Sequence, residues 1–425
     1  MSPRQFCISA LAGLCLNLTT LPEASAQNWP QFRGPGSQGI SVETGLPVQW
    51  SATSNVIWKT TLPGPGHSSP IVWGDRIFLT AFRSERMSNA YAARYLLSAR
   101  GQLVVLALDK PSGKILWERA VKASSLEALH PTNSPASPTP VTDGVYVYVY
   151  FGSAGLVAFD FNGTVVWEKR LGPFPSDWGS ASSPVLYGST LLLNVDTDGD
   201  DFLLAVDKTT GKTIWQTPRG HVTRSWSTPI IWNANGRDEI VVSGSQRVKG
   251  YDPVSGKELW TVDGLTEWVA PTPVTAHGLL FVASNGPGGN IIMAIRPGGS
   301  GNITRSHVAW RYERGAPYTP SPVVVGDYLY AVRSGGLLTC LNAKTGAEVW
   351  QQRLPARGDY YASLLAGDGK IYALSEDGET TVIAAKPAYQ LLSVNDMGER
   401  SMASPAVSGG RIYIRTDSTI YAIGK

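Results

Sequence analysis

Ser321-Pro322-Val323-Val324-Val325-Gly326-Asp327-Tyr328-Leu329-Tyr330, followed by Leu337-Leu338-Thr339-Cys340-Leu341-Asn342 and then by Thr345-Gly346 and Trp350, reads as one complete structural unit. Val323 to Val325 is a short β-branched run. The Gly326-Asp327 step is a turn signal that passes the chain to Tyr328-Leu329-Tyr330, and two such runs across a tight turn predict a hairpin. Leu337 to Leu341 adds a third strand. Asn342 to Gly346 carries turn chemistry, with glycine where positive φ costs least. Trp350 then closes an outermost fourth strand, where a large ring can fill the gap to a neighbouring unit.

The same order recurs along the chain. Strand-opening anchors stand at Ser69-Pro70, Ser137-Pro138, Ser183-Pro184, Thr228-Pro229, Thr272-Pro273, Ser321-Pro322 and Ser404-Pro405, with a degenerate Ser363-Leu364, which makes eight. The closing tryptophans are Trp58, Trp117, Trp167, Trp215, Trp260, Trp310 and Trp350, spaced roughly 40 to 60 residues apart, as expected of four-stranded propeller blades. The stretch Arg296 to Trp310 is a looser copy with a Gly-rich insertion, and the unit from Ser363 to about Leu392 lacks its tryptophan. The last unit, Ser404 to Ile423, stops before a fourth strand, whereas Asn55-Val56-Ile57-Trp58-Lys59 is a fourth strand with nothing before it. Pairing the two hides both sheet edges. The expectation is therefore an all-β, eight-bladed propeller of four-stranded antiparallel blades, closed by its N- and C-terminal strands. Seven blades is the alternative if the seventh unit is a decorated loop.

The combination of Ser-Pro start, Gly-Asp turn, Leu106-Ala107-Leu108-Asp109, Thr-Gly-Lys and tryptophan resembles the pyrroloquinoline-quinone-type propeller repeat family. That family includes quinoprotein alcohol dehydrogenases and the propeller lipoprotein of the outer-membrane barrel-assembly machinery. The resemblance runs from about Asn28 to Lys425. Trp29-Pro30-Gln31-Phe32-Arg33-Gly34-Pro35 resembles a segment common at the start of exported members. It is expected to pack across the propeller. The resemblance bears on fold and leaves activity open, because one fold hosts many functions.

Composition agrees with a β-rich chain: 45 Gly and 29 Pro in 425 residues suit many turns, and 14 Trp with 17 Tyr suit ring packing between blades. A formal net charge of +3, spread along the chain, is not the footprint of a nucleic-acid binder. Arg4, the apolar stretch Phe6 to Leu21 and Ala24-Ser25-Ala26 read as a secretory signal peptide over residues 1–26, cleaved near Ala26. Residues 27–54 are then an N-terminal extension and residues 55–425 the propeller. Leu14 before Cys15 is too large for the usual lipoprotein cleavage signal, so export without an anchor is expected, to the periplasm or outside. No later stretch is long and apolar enough to predict a membrane span. A monomer is expected.

Cys7 and Cys15 leave with the leader, so Cys340 remains alone, in an apolar strand that favours an inert buried thiol. Quinoprotein dehydrogenases of this family hold pyrroloquinoline quinone against a ring made by two adjacent disulfide-bonded cysteines, a pair this chain lacks. The five histidines are scattered without metal-ligand spacing, and no Gly-x-Ser-x-Gly elbow is present. No catalytic residue is assigned. Asp196, Asp198 and Asp200 place oxygen ligands around Gly199 as calcium needs, but the closing glutamate of an EF-hand is replaced by Ala205. A solvated hairpin turn is the competing reading.

Register supplies the candidate site. Residues just before each anchor enter the innermost strand of a blade, so they should converge at one mouth of the central channel. Those positions hold His67, Asn133, Trp178, Arg224, Trp226, Glu267, Trp268, Tyr318, Tyr360 with Tyr361, and Arg400. Either they form a funnel for a ligand or extended peptide, or their rings plug the channel. The insertion from Arg83 to Gln102, with Arg86, Arg94 and Arg100, is either part of a binding face or solvated decoration. The functional expectation is an exported, non-catalytic scaffold for an envelope protein, peptide or small ligand, without nucleic acid. The alternative is a quinone-dependent dehydrogenase of unusual type, with calcium and pyrroloquinoline quinone.

Overall fold

Val323–Val325, Tyr328–Val332, Leu337–Asn342 and Glu348–Arg353 form one antiparallel sheet in chain order, as the repeat predicts. Val325 pairs with Tyr328 across the Gly326-Asp327 turn. Gly326 takes φ 55° there, a left-handed value that glycine adopts without a Cβ clash. The computed structural model describes residues 28–84, 101–123, 126–174, 177–199, 201–220 and 224–424. The expected leader, and Arg86, Arg94 and Arg100 of the insertion, lie outside the described residues.

Eight such sheets are present. Numbered 1 to 8, their inner strands are Ile71–Trp73, Val141–Thr142, Val185–Tyr187, Ile230–Ala234, Val274–Ala276, Val323–Val325, Leu365–Gly367 and Ala406–Ser408. Blade 7 has all four strands, ending in Leu391–Asp396, so the ring has eight blades and not seven. Val56–Thr61 completes blade 8 by pairing antiparallel with Thr419–Ile423, with Trp58 opposite Ala422. One anchor needs correction. The strand of blade 2 opens at Thr139-Pro140-Val141 rather than at Ser137-Pro138.

Most closing tryptophans bind their blade to the next. Trp58 of blade 8 donates its indole N–H to the Lys110 carbonyl of blade 1 at 2.9 Å, Trp117 of blade 1 to Phe161 of blade 2 at 2.8 Å, and Trp167 of blade 2 to Lys208 of blade 3 at 2.9 Å. The ring lies on the glycine of that blade's last turn. A Cβ at Gly113, Gly163, Gly211, Gly256 or Gly346 would meet Trp58, Trp117, Trp167, Trp215 or Trp310 at under 3 Å. Trp260 departs from this pattern, bonding Glu239 of its own blade at 2.7 Å. At the junction of blades 7 and 8, where the repeat lacks a tryptophan, Trp50 of the N-terminal segment is buried among residues of both blades, near Tyr372.

That segment crosses the face of the ring that carries the first hairpin turns. Trp29 pairs with Val72 of blade 1, and Pro30 accepts from Thr142 of blade 2. Thr275 of blade 5 donates to Gln38, and Arg33 donates to the Pro322 carbonyl of blade 6. Ile40–Ser41 runs parallel beside the inner strand of blade 7, and Glu43 accepts from Gly409 and Gly410 of blade 8. Inner strands run from the anchors to these turns, so the segment lies at the opposite end of the channel from the anchor side.

Candidate ligand-binding cup in the central channel

Extended chain places alternate residues on one face, and this parity builds the channel wall. The eight anchor hydroxyls, Ser69, Thr139, Ser183, Thr228, Thr272, Ser321, Ser363 and Ser404, line one cavity of about 170 Å³. The residues two positions earlier, His67, Ser137, Ala181, Trp226, Ala270, Thr319, Tyr361 and Met402, line the same cavity. They form a second ring nearer the mouth.

The hydroxyl ring is also a seam. The backbone N–H of Ser69 donates to Thr139 at 2.9 Å, that of Thr139 to Ser183 at 2.9 Å and that of Ser183 to Thr228 at 3.1 Å. On the other side Thr272 donates to Ser321, Ser321 to Ser363 and Ser363 to Ser404, at 2.9, 3.0 and 2.9 Å. The hydroxyls of Ser69 and Thr272 are buried without a hydrogen-bond partner among the described residues. A hydroxyl that accepts from backbone still has its own proton to give. The wall therefore offers donors to whatever occupies the cavity.

Aromatic rings surround the entrance. Trp178 stacks on His130 at 4.2 Å and 11°, and its centroid lies 5.8 Å from Trp226 and 5.2 Å from Trp268. Trp226 is held by its indole N–H on the Gly179 carbonyl at 2.9 Å, and Asn133 donates to the Trp178 carbonyl at 2.7 Å. Behind this loop, half-buried Glu127 accepts from the Ser180 amide at 2.8 Å and from the Ser153 and Ser180 hydroxyls at 3.1 Å. Burial pushes the Glu127 carboxyl above its ordinary range, and these bonds pull it partly back. Tyr318 completes the rim, and Phe32 of the N-terminal segment reaches the cavity from the opposite end. The channel is a cup with a floor.

Of the sequence-predicted residues, His67, Asn133, Trp178, Trp226, Trp268 and Tyr318 line the cup, and Tyr360, Arg224, Glu267 and Arg400 do not. Tyr361 lines the cavity, whereas Tyr360 is fully buried among residues of blades 6 and 7. Arg224, at φ 58°, turns to Asp198 at 3.1 Å. Glu267 is exposed and borders a separate surface groove. Arg400 lies 3.6 Å from Glu376 and 3.7 Å from Asp417, which hold it at the junction of blades 7 and 8. Tyr361, paired with Tyr360 in the sequence reading, does line the cup, whereas His130 and the anchor hydroxyls were missed as cavity-lining groups. A signal for the hydroxyls was present: each of Ser69, Thr139, Ser183, Thr272, Ser321, Ser363 and Ser404 stands five residues before the turn residue Gly74, Gly144, Gly188, His277, Gly326, Asp368 or Gly409.

The calcium arrangement is not formed by the described residues. Asp196 is fully buried against Arg219 at 2.7 Å, and Asp198 is engaged by Arg224; Asp200 lies outside the described residues. Burial pushes the Asp196 carboxyl up, and Arg219 and Asn194 oppose the rise. The cup does not suit pyrroloquinoline quinone either. That polycarboxylate calls for cations around it, and the described lining holds no Lys, Arg, Asp or Glu. Cys340, the one cysteine among the described residues, is buried, its thiol pushed up to about 12 by burial.

A family model described as outer membrane protein assembly factor BamB matches residues 80–235 and 199–425. The chain is 21% identical over 308 residues to the outer membrane protein assembly factor BamB of Yersinia pestis, which covers 60% of this chain and 76% of that protein. The crystal structure of BamB from Moraxella catarrhalis is similar at TM-score 0.60 and 15% identity, over 86% of this chain and 96% of that one. The quinohemoprotein alcohol dehydrogenase from Comamonas testosteroni is similar at TM-score 0.61 and 12% identity, over 93% of this chain and 80% of that one. At such identities the structural likenesses establish the propeller fold alone.

Proposed function

The chain belongs to the family described as outer membrane protein assembly factor BamB, and on that premise we propose that it is an exported recognition scaffold without catalysis of its own. Its partner on this reading is an envelope protein, and the channel cup seats an extended segment of that partner. The observation that carries the reading is the cup itself: a wall of hydroxyls and aromatic rings without Lys, Arg, Asp or Glu among its described residues, with a floor at Phe32. Such a wall suits an uncharged, ring-bearing side chain, which the tryptophans sandwich while Ser and Thr satisfy nearby backbone. Its volume of about 170 Å³ is below the roughly 300 Å³ at which pockets for whole small-molecule ligands begin, so one side chain is the fitting guest.

The test is a binding screen on the purified protein, with phenylalanine-bearing peptides, pyrroloquinoline quinone and calcium among the probes. Trp268→Ala should weaken peptide binding by about 1 to 3 kcal/mol, as removal of an aromatic anchor does. The fold should survive, since inter-blade packing rests on other tryptophans. Unaltered peptide affinity in Trp268→Ala overturns the cup as the seat. Sustained reduction of an artificial dye by the quinone-loaded protein, above a heat-killed control, supports the dehydrogenase alternative instead.

A further inference from the structure

A second groove opens beside the cup and shares Trp268 and Tyr318 with it. Its volume is about 710 Å³, and its walls include Asn285, Pro287, Arg333 and Arg353. The charges differ sharply between the two. The cup carries no Lys, Arg, Asp or Glu among its described residues, whereas the groove presents two guanidinium groups and no carboxylate.

These arginines also differ from three others in the chain. Arg224, Arg357 and Arg400 are each engaged by an acidic side chain. Arg333 and Arg353 are exposed, and among the described residues neither forms an ion pair. Arg353 is nevertheless oriented, because it donates to the Gly335 carbonyl at 2.5 Å. Arg333 stands at the end of the strand Tyr328–Val332, on the turn that this carbonyl belongs to. A guanidinium fork held in place and left without a carboxylate matches an incoming one.

The geometry points to an acidic peptide segment as the occupant of cup and groove together: a ring-bearing side chain enters the cup past Trp268 and Tyr318, and a neighbouring carboxylate meets Arg333 and Arg353. This rests on the recognition role proposed above and adds charge selectivity to it. A protein ligand is preferred to an acidic polysaccharide because family membership points to protein partners, and the polysaccharide becomes an outcome of the test.

The experiment uses fluorescence anisotropy on the purified full chain after leader removal. The probe is a fluorescein-labelled peptide with one phenylalanine between two aspartates in a Ser-Gly background, compared with twins carrying asparagine or lysine instead of aspartate. The aspartate peptide should bind about tenfold more tightly than the asparagine twin, the advantage shrinking in high salt. The double variant Arg333→Glu with Arg353→Glu should reverse the order in favour of the lysine twin, while the asparagine twin binds as before. Trp268→Ala should weaken all three peptides alike. Equal binding of the aspartate and asparagine peptides, or an aspartate preference that survives the double variant, overturns the groove assignment and leaves the cup reading intact. A charge preference that persists while Trp268→Ala changes nothing overturns the cup and spares the groove. Arginine-dependent binding of a polyuronate oligomer without binding of any peptide overturns the peptide assignment.

Discussion

Glu127 shows how single residues set the entrance of the cup. It holds Ser180, two residues beyond Trp178, through both the amide and the hydroxyl. Burial raises its carboxyl pKa above the ordinary 4.5, so the folded state binds the proton more tightly than the unfolded one. Stability from this group is therefore fully present below the unfolded pKa and declines as pH rises through the raised folded value. Glu127→Gln removes the titration: the melting temperature of the native protein, relative to the variant, should fall as pH rises above about 4.5. A pH-independent difference would contradict the burial argument. The same scale shows what was legible. Trp226 and His67 could be placed by counting back from a Ser-Pro or Thr-Pro step, because a period of two is strict in extended chain. The same count of two back from Ser363 reaches Tyr361 and not Tyr360. Arg224 and Arg400 were taken from the cup by acidic partners remote in sequence, which no local pattern encodes.

At the level of the element, the last-turn glycine and the tryptophan of the preceding blade act as one joint at five of the eight junctions. Gly211 takes φ 69°, and a Cβ there would meet Trp167 at 2.6 Å; Gly188 takes φ 56° with nothing within 4 Å. Alanine at either position carries the left-handed backbone cost of about 1 to 2 kcal/mol. Only Gly211→Ala adds overpacking, of about 1 to 3 kcal/mol. Urea midpoints should therefore fall further for Gly211→Ala than for Gly188→Ala, and equal shifts would show that the indole yields freely. The repeat revealed these joints because tryptophan and glycine recur at one register. It concealed the exceptions. Thr139-Pro140 was hidden behind Ser137-Pro138, two residues away with the same dipeptide grammar, and the spacing to Gly144 distinguishes them. The role of Trp50 at the junction of blades 7 and 8 was not legible, since it comes from outside the repeat and from the far end of the chain.

For the molecule as a whole, closure depends on a short strand and on what surrounds it. Val56–Thr61 hides the edge of Thr419–Ile423, and Trp58 covers Gly113 of blade 1. Inside the same junction, fully buried Arg415 of blade 8 donates to the Ser68 and Thr80 carbonyls of blade 1 at 3.0 and 2.6 Å. Burial pushes its pKa down to about 9, so this clamp is costly to form, and it holds only while the junction excludes water. The N-terminal segment adds a separate contribution by crossing the floor. Two truncations separate these effects. Removal through Ser54 takes the floor and Trp50 but keeps the closing strand, and should lower the melting temperature while preserving one cooperative transition. Removal through Thr61 also opens the edge of blade 8 and wets the arginine clamp. That chain should unfold in a broad, non-coincident transition by fluorescence and circular dichroism, and should associate through the bared strand as concentration rises. If both truncated chains melt alike and both remain monomeric, blade 8 holds without its N-terminal strand, and the ring is closed by side-chain packing rather than by strand pairing.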